Sequence, residues 1–151
     1  MSACRNIKDH KIEDLTQMPP NNDSMWVQDV WDSLNNMTVL SFLDKIGIEE
    51  TSFHKVPVLT IDQSETKYDW VKRTDIDTLL ALVKSKKRCK CIVSPFSSNI
   101  PNDSAELGGY AIKILNAYKN KKNVNFGLYS CPKSDERKAE DLIKWWTHVN
   151  N

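Results

Sequence analysis

Three short, apolar, β-branched segments alternate along this chain with stretches of helical period, and that alternation limits the possible folds more than any other feature. "KVPVLTI" (55–61), "CKCIVSPF" (89–96) and "NVNFGLYS" (123–130) read as strands. Around them apolar residues recur every three to four positions, the spacing of helices that bury one face. Trp26, Val30, Trp31, Leu34, Met37, Phe42, Leu43 and Ile46 mark a first helix from Ser24, stopped by Gly47 and weakened at "NNMT". Trp70, Ile76, Leu79 and Val83 mark a second, Asp103 to about Lys119 a third, and Ser134 to Val149 a fourth. The order α-β-α-β-α-β-α predicts a small three-layer α/β/α fold of flavodoxin- or Rossmann-like kind, with a mainly parallel sheet and right-handed crossovers. In such sheets ligands gather beyond the carboxyl ends of the strands.

Residues 1–23 are polar, end in "MPPNND" and lack a sustained period, which predicts a flexible arm ahead of one α/β domain over 24–151. Lys plus Arg number 21 and Asp plus Glu 20, a formal charge of +1, so no global field recruits nucleic acid or an anionic membrane. No apolar run approaches the roughly 18 residues of a membrane span, and the first residues are charged, so the expected location is cytoplasmic or nuclear. Cys4, Cys89, Cys91 and Cys131 are too sparse for a disulfide scaffold and are expected as reduced thiols.

Several chemistries are excluded by spacing. The four glycines, at 47, 108, 109 and 127, spell neither a P-loop nor a dinucleotide fingerprint, and His10, His54 and His148 match no zinc-protease pattern. No cofactor and no metal are predicted. The basic run "KSKKRCK" reads as a solvated helix end. Trp145 and Trp146 are adjacent and diverge by about 100° on a helix, leaving one partly exposed. With Trp26 and Trp31 they suggest a docking face for a protein partner or a second copy of the chain.

The chemistry-bearing stretch is "SPFSSNIPNDSAELGGYA" (94–111). With Asp103 as N-cap, Glu106 falls at N3, and "DSAE" becomes an acidic variant of the capping box. Gly108 and Gly109 then allow close approach to a neighbouring element, at about 1 kcal/mol each in helix propensity. This stretch, followed by "KNVNFGLYS", resembles the nucleoside 2-deoxyribosyltransferase family over about residues 73–130. Ser94, Pro95 and Phe96 match its strand-end loop, Pro101 and Asp103 its proline-aspartate stretch, and Glu106, Leu107 and Gly108 its acid and glycine-bearing helix. The resemblance implies that Glu106 is a nucleophile attacking C1′ of a nucleoside sugar, a displacement served by an ionised carboxylate. It further implies that Asp103 holds a sugar hydroxyl and Asp75 protonates the departing base, with Ser94, Phe96, Ser97, Ser98 and Asn99 lining the substrate.

Three readings follow. One is an N-glycosidic bond enzyme acting on a nucleoside or nucleotide, or an inactive relative of one. Another is a noncatalytic α/β interaction domain using its Trp-bearing helices. A third is a TIR-like domain that cleaves NAD or senses nucleotides, which also places a glutamate near the sheet edge.

Overall fold

The computed structural model describes residues 32–48, 58–63, 65–99 and 101–151. The expected arm (1–23), Trp26, Trp31 and residues 55–57 lie outside them. The protein is a mixed α/β fold with a small mixed sheet. Strand β1 (Asp32–Ser33) leads through a 3-10 turn (Leu34–Asn36) into helix α1 (Val39–Lys45), so residues 32–46 are not the continuous helix expected from their period. Thr38 explains the break. Its backbone is extended and its Oγ1 accepts from Ser41 N at 3.1 Å, which makes it the N-cap of a new helix.

After strand β2 (Val58–Gln63) come a 3-10 turn (Arg73–Asp75) and helix α2 (Ile76–Leu82). The expected second strand is divided into β3 (Arg88–Cys89) and β4 (Cys91–Val93), which join different sheets. Strand β5 (Ala105–Glu106), helix α3 (Leu107–Lys119), strand β6 (Tyr129–Ser130) and helix α4 (Glu136–Asn150) complete the described chain. The main sheet has the order β1-β2-β4-β6, and β3 and β5 form a separate two-stranded ribbon.

The pairs β1–β2 and β2–β4 are parallel, as the alternation predicts, but β4–β6 is antiparallel. The reversal traces to the stretch between β4 and α3. Instead of leaving α3 to return the chain, β5 runs back beside β3, pairing Cys89 with Ala105 and Arg88 with Glu106. Helix α3 therefore climbs, and β6 must descend beside β4.

The core centres on Phe42 of α1, whose ring stacks on Phe126 (centroids 5.2 Å apart) and meets Tyr110 and Trp70 edge-on at 5.7 and 5.8 Å. The two polar aromatics are satisfied: Trp70 Nε1 donates to Met37 O at 2.8 Å, and Tyr110 OH lies 2.8 Å from Lys90 O and 3.1 Å from Ser130 O. Among the described residues no helix is long and apolar enough to cross a membrane.

The two glycines of α3 are explained by packing. A Cβ at Gly108 would lie 2.6 Å from Val83 O and 2.7 Å from Ser85 O; one at Gly109 would lie 2.6 and 2.7 Å from C and O of Pro132. No side chain fits between these backbones. The cysteines correct the expectation of four thiols. Because β4 and β6 pair antiparallel, Cys91 faces Cys131 across the ladder, and the two form a disulfide with Cα atoms 4.5 Å apart, while Cys89 stays free and buried.

Two outcomes follow. Gly109→Ala is expected to destabilise the fold by about 1–3 kcal/mol in urea denaturation, because overpacking against backbone outweighs the gain in helix propensity. Reduction, or Cys131→Ser, is expected to cost about 2–4 kcal/mol by the same measurement, as the bridge closes a 40-residue separation.

Candidate functional site

The serine loop begins where β4 ends. Ser94 is buried; its N–H donates to Leu128 O at 2.8 Å, its Oγ accepts from Phe96 N at 3.3 Å, and its carbonyl accepts from Ser97 N at 2.9 Å. Ser97 Oγ accepts from Asn99 N at 3.1 Å. These bonds close a compact turn at the carboxyl end of the parallel strands. Phe96 stands 84% exposed on it, and Ser98 and Asn99 are exposed beside it.

The chain then descends, and the two carboxylates go with it. Asp103 Oδ1 accepts from Ser104 N at 2.7 Å, and Oδ2 pairs with Lys133 Nζ at 2.8 Å. The Lys133 hydrogen bond, reinforced by the Ser104 amide, holds the Asp103 carboxyl below the usual carboxylate range. Arg88 Nε donates to Ser104 Oγ at 2.8 Å in the same cluster.

Glu106, half-buried, stands at the N-cap of α3 in extended conformation, but its side chain makes no capping bond. Its Oε2 accepts from Ser134 N at 2.9 Å instead. The first amides of α3 are met by other backbone: Leu107 N donates to Lys87 O and Gly108 N to Ser85 O, both at 2.9 Å. The Asp103–Glu106 capping box therefore does not form, because Ala105 and Glu106 are drawn into the β5 strand. The Glu106 carboxylate is close enough to the buried Cys89 thiol to add to the effect of burial, which together push that thiol up to about 12.

Asp75 is placed elsewhere again. Its Oδ2 accepts from Lys72 N at 2.8 Å at the start of α2, whereas Ser85 and Glu106 lie past the far end of that helix, about 12 Å along its axis. The structure thus brings Asp103 and Glu106 into one neighbourhood with Lys133 and Ser134. It sets Ser94, Phe96, Ser97, Ser98 and Asn99 at the other end of the strands, and Asp75 beside a shallow depression of about 410 Å³ with Thr38 and Trp70.

A larger groove, of about 490 Å³, opens between the 66–71 segment, the end of α3 and α4. Its position is fixed by Thr66 and Val124, which exchange bonds from Thr66 N to Val124 O at 2.9 Å and from Val124 N to Thr66 Oγ1 at 3.0 Å. Tyr118 and Trp145 wall it, their rings edge-on at 6.5 Å. Lys119 Nζ lies 5.6 Å from the Trp145 ring centroid, and Lys67, Lys121 and Lys122 also border it. Tyr68 stands at its lip, 75% exposed. Of this set only Trp145 stands out as a candidate docking residue in the sequence. The signal that could have found the rest is the run "YKNKK" (118–122), an aromatic followed by three lysines.

Among the described residues no group of three or more His, Cys, Asp or Glu is placed to hold a metal ion. No family model, curated protein or solved structure matches this chain.

The Asp103–Lys133 pair yields a pH test. Because the folded carboxyl titrates below its unfolded value, the pair's contribution is present above the ordinary carboxylate range and is lost as pH falls through the depressed midpoint. Lys133→Met is expected to raise the Asp103 midpoint toward the ordinary carboxylate range in a carboxyl-detected NMR titration; the exposed ion pair adds little to the stability change, and loss of the Lys133 bond to the part-buried Ser104 carbonyl costs about 1 kcal/mol.

Proposed function

We propose that this protein is a noncatalytic binding domain for a small anionic ligand, and that its working surface is the groove walled by Tyr118 and Trp145. The observation that carries this reading is the contrast between two places. At Glu106 and Asp103 both carboxylates are engaged with neighbouring backbone or an ammonium, and the acid and the serine loop lie at opposite ends of the strands. At the groove, aromatic side chains and four lysines from two chain segments border an open volume. Lysines around a concave apolar wall suit an anion with an apolar body.

This contrast supports the interaction-domain reading over the nucleoside 2-deoxyribosyltransferase and TIR-like readings. A retaining glycosidic displacement needs a carboxylate free to reach the sugar carbon and a second group positioned at the leaving base. Here Asp75, the residue assigned to that second role, lies past the other end of α2. The parallel pairs β1–β2 and β2–β4, with helices between them, support the finer proposal that the sheet is the middle layer of a three-layer α/β/α domain.

The test is chemical. Incubation of the protein with a panel of ribo- and deoxynucleosides, and with NAD, is expected to release no free base and no nicotinamide above the enzyme-free rate. Release that disappears in a folded Glu106→Gln variant would overturn the noncatalytic reading.

A further inference from the structure

The groove's composition narrows its ligand further. We infer that it takes a nucleotide, with the phosphates on the lysines at the end of α3 and the planar base on the Tyr68 ring; this inference rests on the binding-domain reading above.

The lysines set the charge of the groove. Lys119, Lys121 and Lys122 come from one helix end and Lys67 from a separate segment, and none of the four is ion-paired among the described residues. Among the described residues the carboxylate on this rim is Asp69, which is held by Lys72 at 2.9 Å and lies within electrostatic reach of Lys67. The ammonium groups therefore present net positive charge to whatever enters.

The backbone holds one of these lysines in an unusual conformation. Lys121 N donates to Tyr118 O at 3.1 Å and Lys122 N to Ala117 O at 2.9 Å, the paired bonds of a Schellman helix ending. The left-handed residue in that motif is commonly glycine, yet here it is Lys121, at φ +53°. A lysine standing in a glycine position keeps backbone strain that a substitution would relieve, and strain of that kind points to a role for the side chain.

The shape of the groove leaves one aromatic ring open. Trp145 is already covered, by Lys119 at 5.6 Å and by Trp146 at 5.6 Å, so it serves as wall rather than platform. Tyr68, 75% exposed at the groove's lip, is the aromatic ring open to a flat partner. Base stacking on such a ring contributes about 1–3 kcal/mol whatever the base. A volume of about 490 Å³ falls among small-molecule sites, roughly 300–1,000 Å³, and a chain of formal charge +1 has no field to gather a polynucleotide. An acidic peptide would use the lysines but would leave the exposed ring without a function.

Isothermal titration calorimetry of the full chain with ATP, adenosine, inorganic tripolyphosphate and a poly-glutamate peptide tests this. ATP is expected to bind at least tenfold tighter than either adenosine or tripolyphosphate. Tyr68→Ala is expected to weaken ATP at least fivefold and leave tripolyphosphate unchanged. Lys121→Gly is expected to weaken both phosphates while its melting temperature stays the same or rises, which separates lost contact from lost folding. Equal affinity for ATP and tripolyphosphate, or preference for poly-glutamate, would overturn the nucleotide assignment and leave the binding domain standing. Failure of all four probes to bind would overturn both.

Discussion

The contact of the first turn of α3 with two stretches of bare backbone governs the rest of this structure. Gly108 faces the carbonyls of Val83 and Ser85, and Gly109 faces Pro132 and Lys133. Two glycines cost about 2 kcal/mol in helix propensity, an amount recovered only if the close approach lets other groups pair. They do pair: Leu107 and Gly108 amides reach Lys87 and Ser85, Glu106 N reaches Pro132 O, and Ser134 N reaches Glu106 Oε2. The foot of α3 is thereby anchored to the ends of α2 and β6 simultaneously. Its direction follows, and with it the antiparallel descent of β6.

That anchoring has a chemical consequence. Hydrogen bonding lets a carboxylate stay ionised inside a protein, but the same bonds oppose its movement toward a reacting carbon. Glu106 answers the Ser134 amide beside a thiol that burial keeps protonated, and Asp103 is bound to Lys133 while its own carbonyl lies 3.1 Å from Cys91 Sγ and 3.4 Å from Cys131 Sγ. This end of the molecule is cross-linked by a disulfide, an ion pair and a dense set of backbone bonds. The far end of α3 opens onto the groove, where Lys119, Lys121 and Lys122 carry no ion pair among the described residues.

Much of the architecture was legible from residue pattern alone. Apolar periodicity located α2, α3 and α4, and β-branched content located β2 and β4, because those signals come from burial, which acts residue by residue. The diglycine correctly announced a close approach. What the pattern did not carry was the direction of residues 101–106: "PNDSAE" scores as a helix start by its capping residues, yet Ala105 and Glu106 extend because β3 offers open edge bonds across from them. Such a tertiary override leaves no periodic trace in six residues. It also inverted the site, since a glutamate expected at the carboxyl edge of the sheet arrived at the opposite end. Likewise Cys91 and Cys131 met only because β6 runs antiparallel, which no spacing reveals.

The groove's electrostatics can be settled by magnitude. It lies at the carboxyl end of α3, where a helix carries the equivalent of about half a negative charge, so an anion would not choose this end of a bare helix. The same dipole explains part of the lysine content, because a cation in the last turn gains about 0.3–1 kcal/mol. It does not explain all of it. Lys121 occupies a left-handed position where glycine would relieve strain, and Lys67 belongs to a segment that the α3 dipole does not build. Four ammonium groups against that half charge and the Asp69 carboxylate, itself paired with Lys72, leave the rim net positive. An aromatic wall beneath them lowers the local dielectric, which strengthens each charge's pull on an incoming phosphate relative to bulk water.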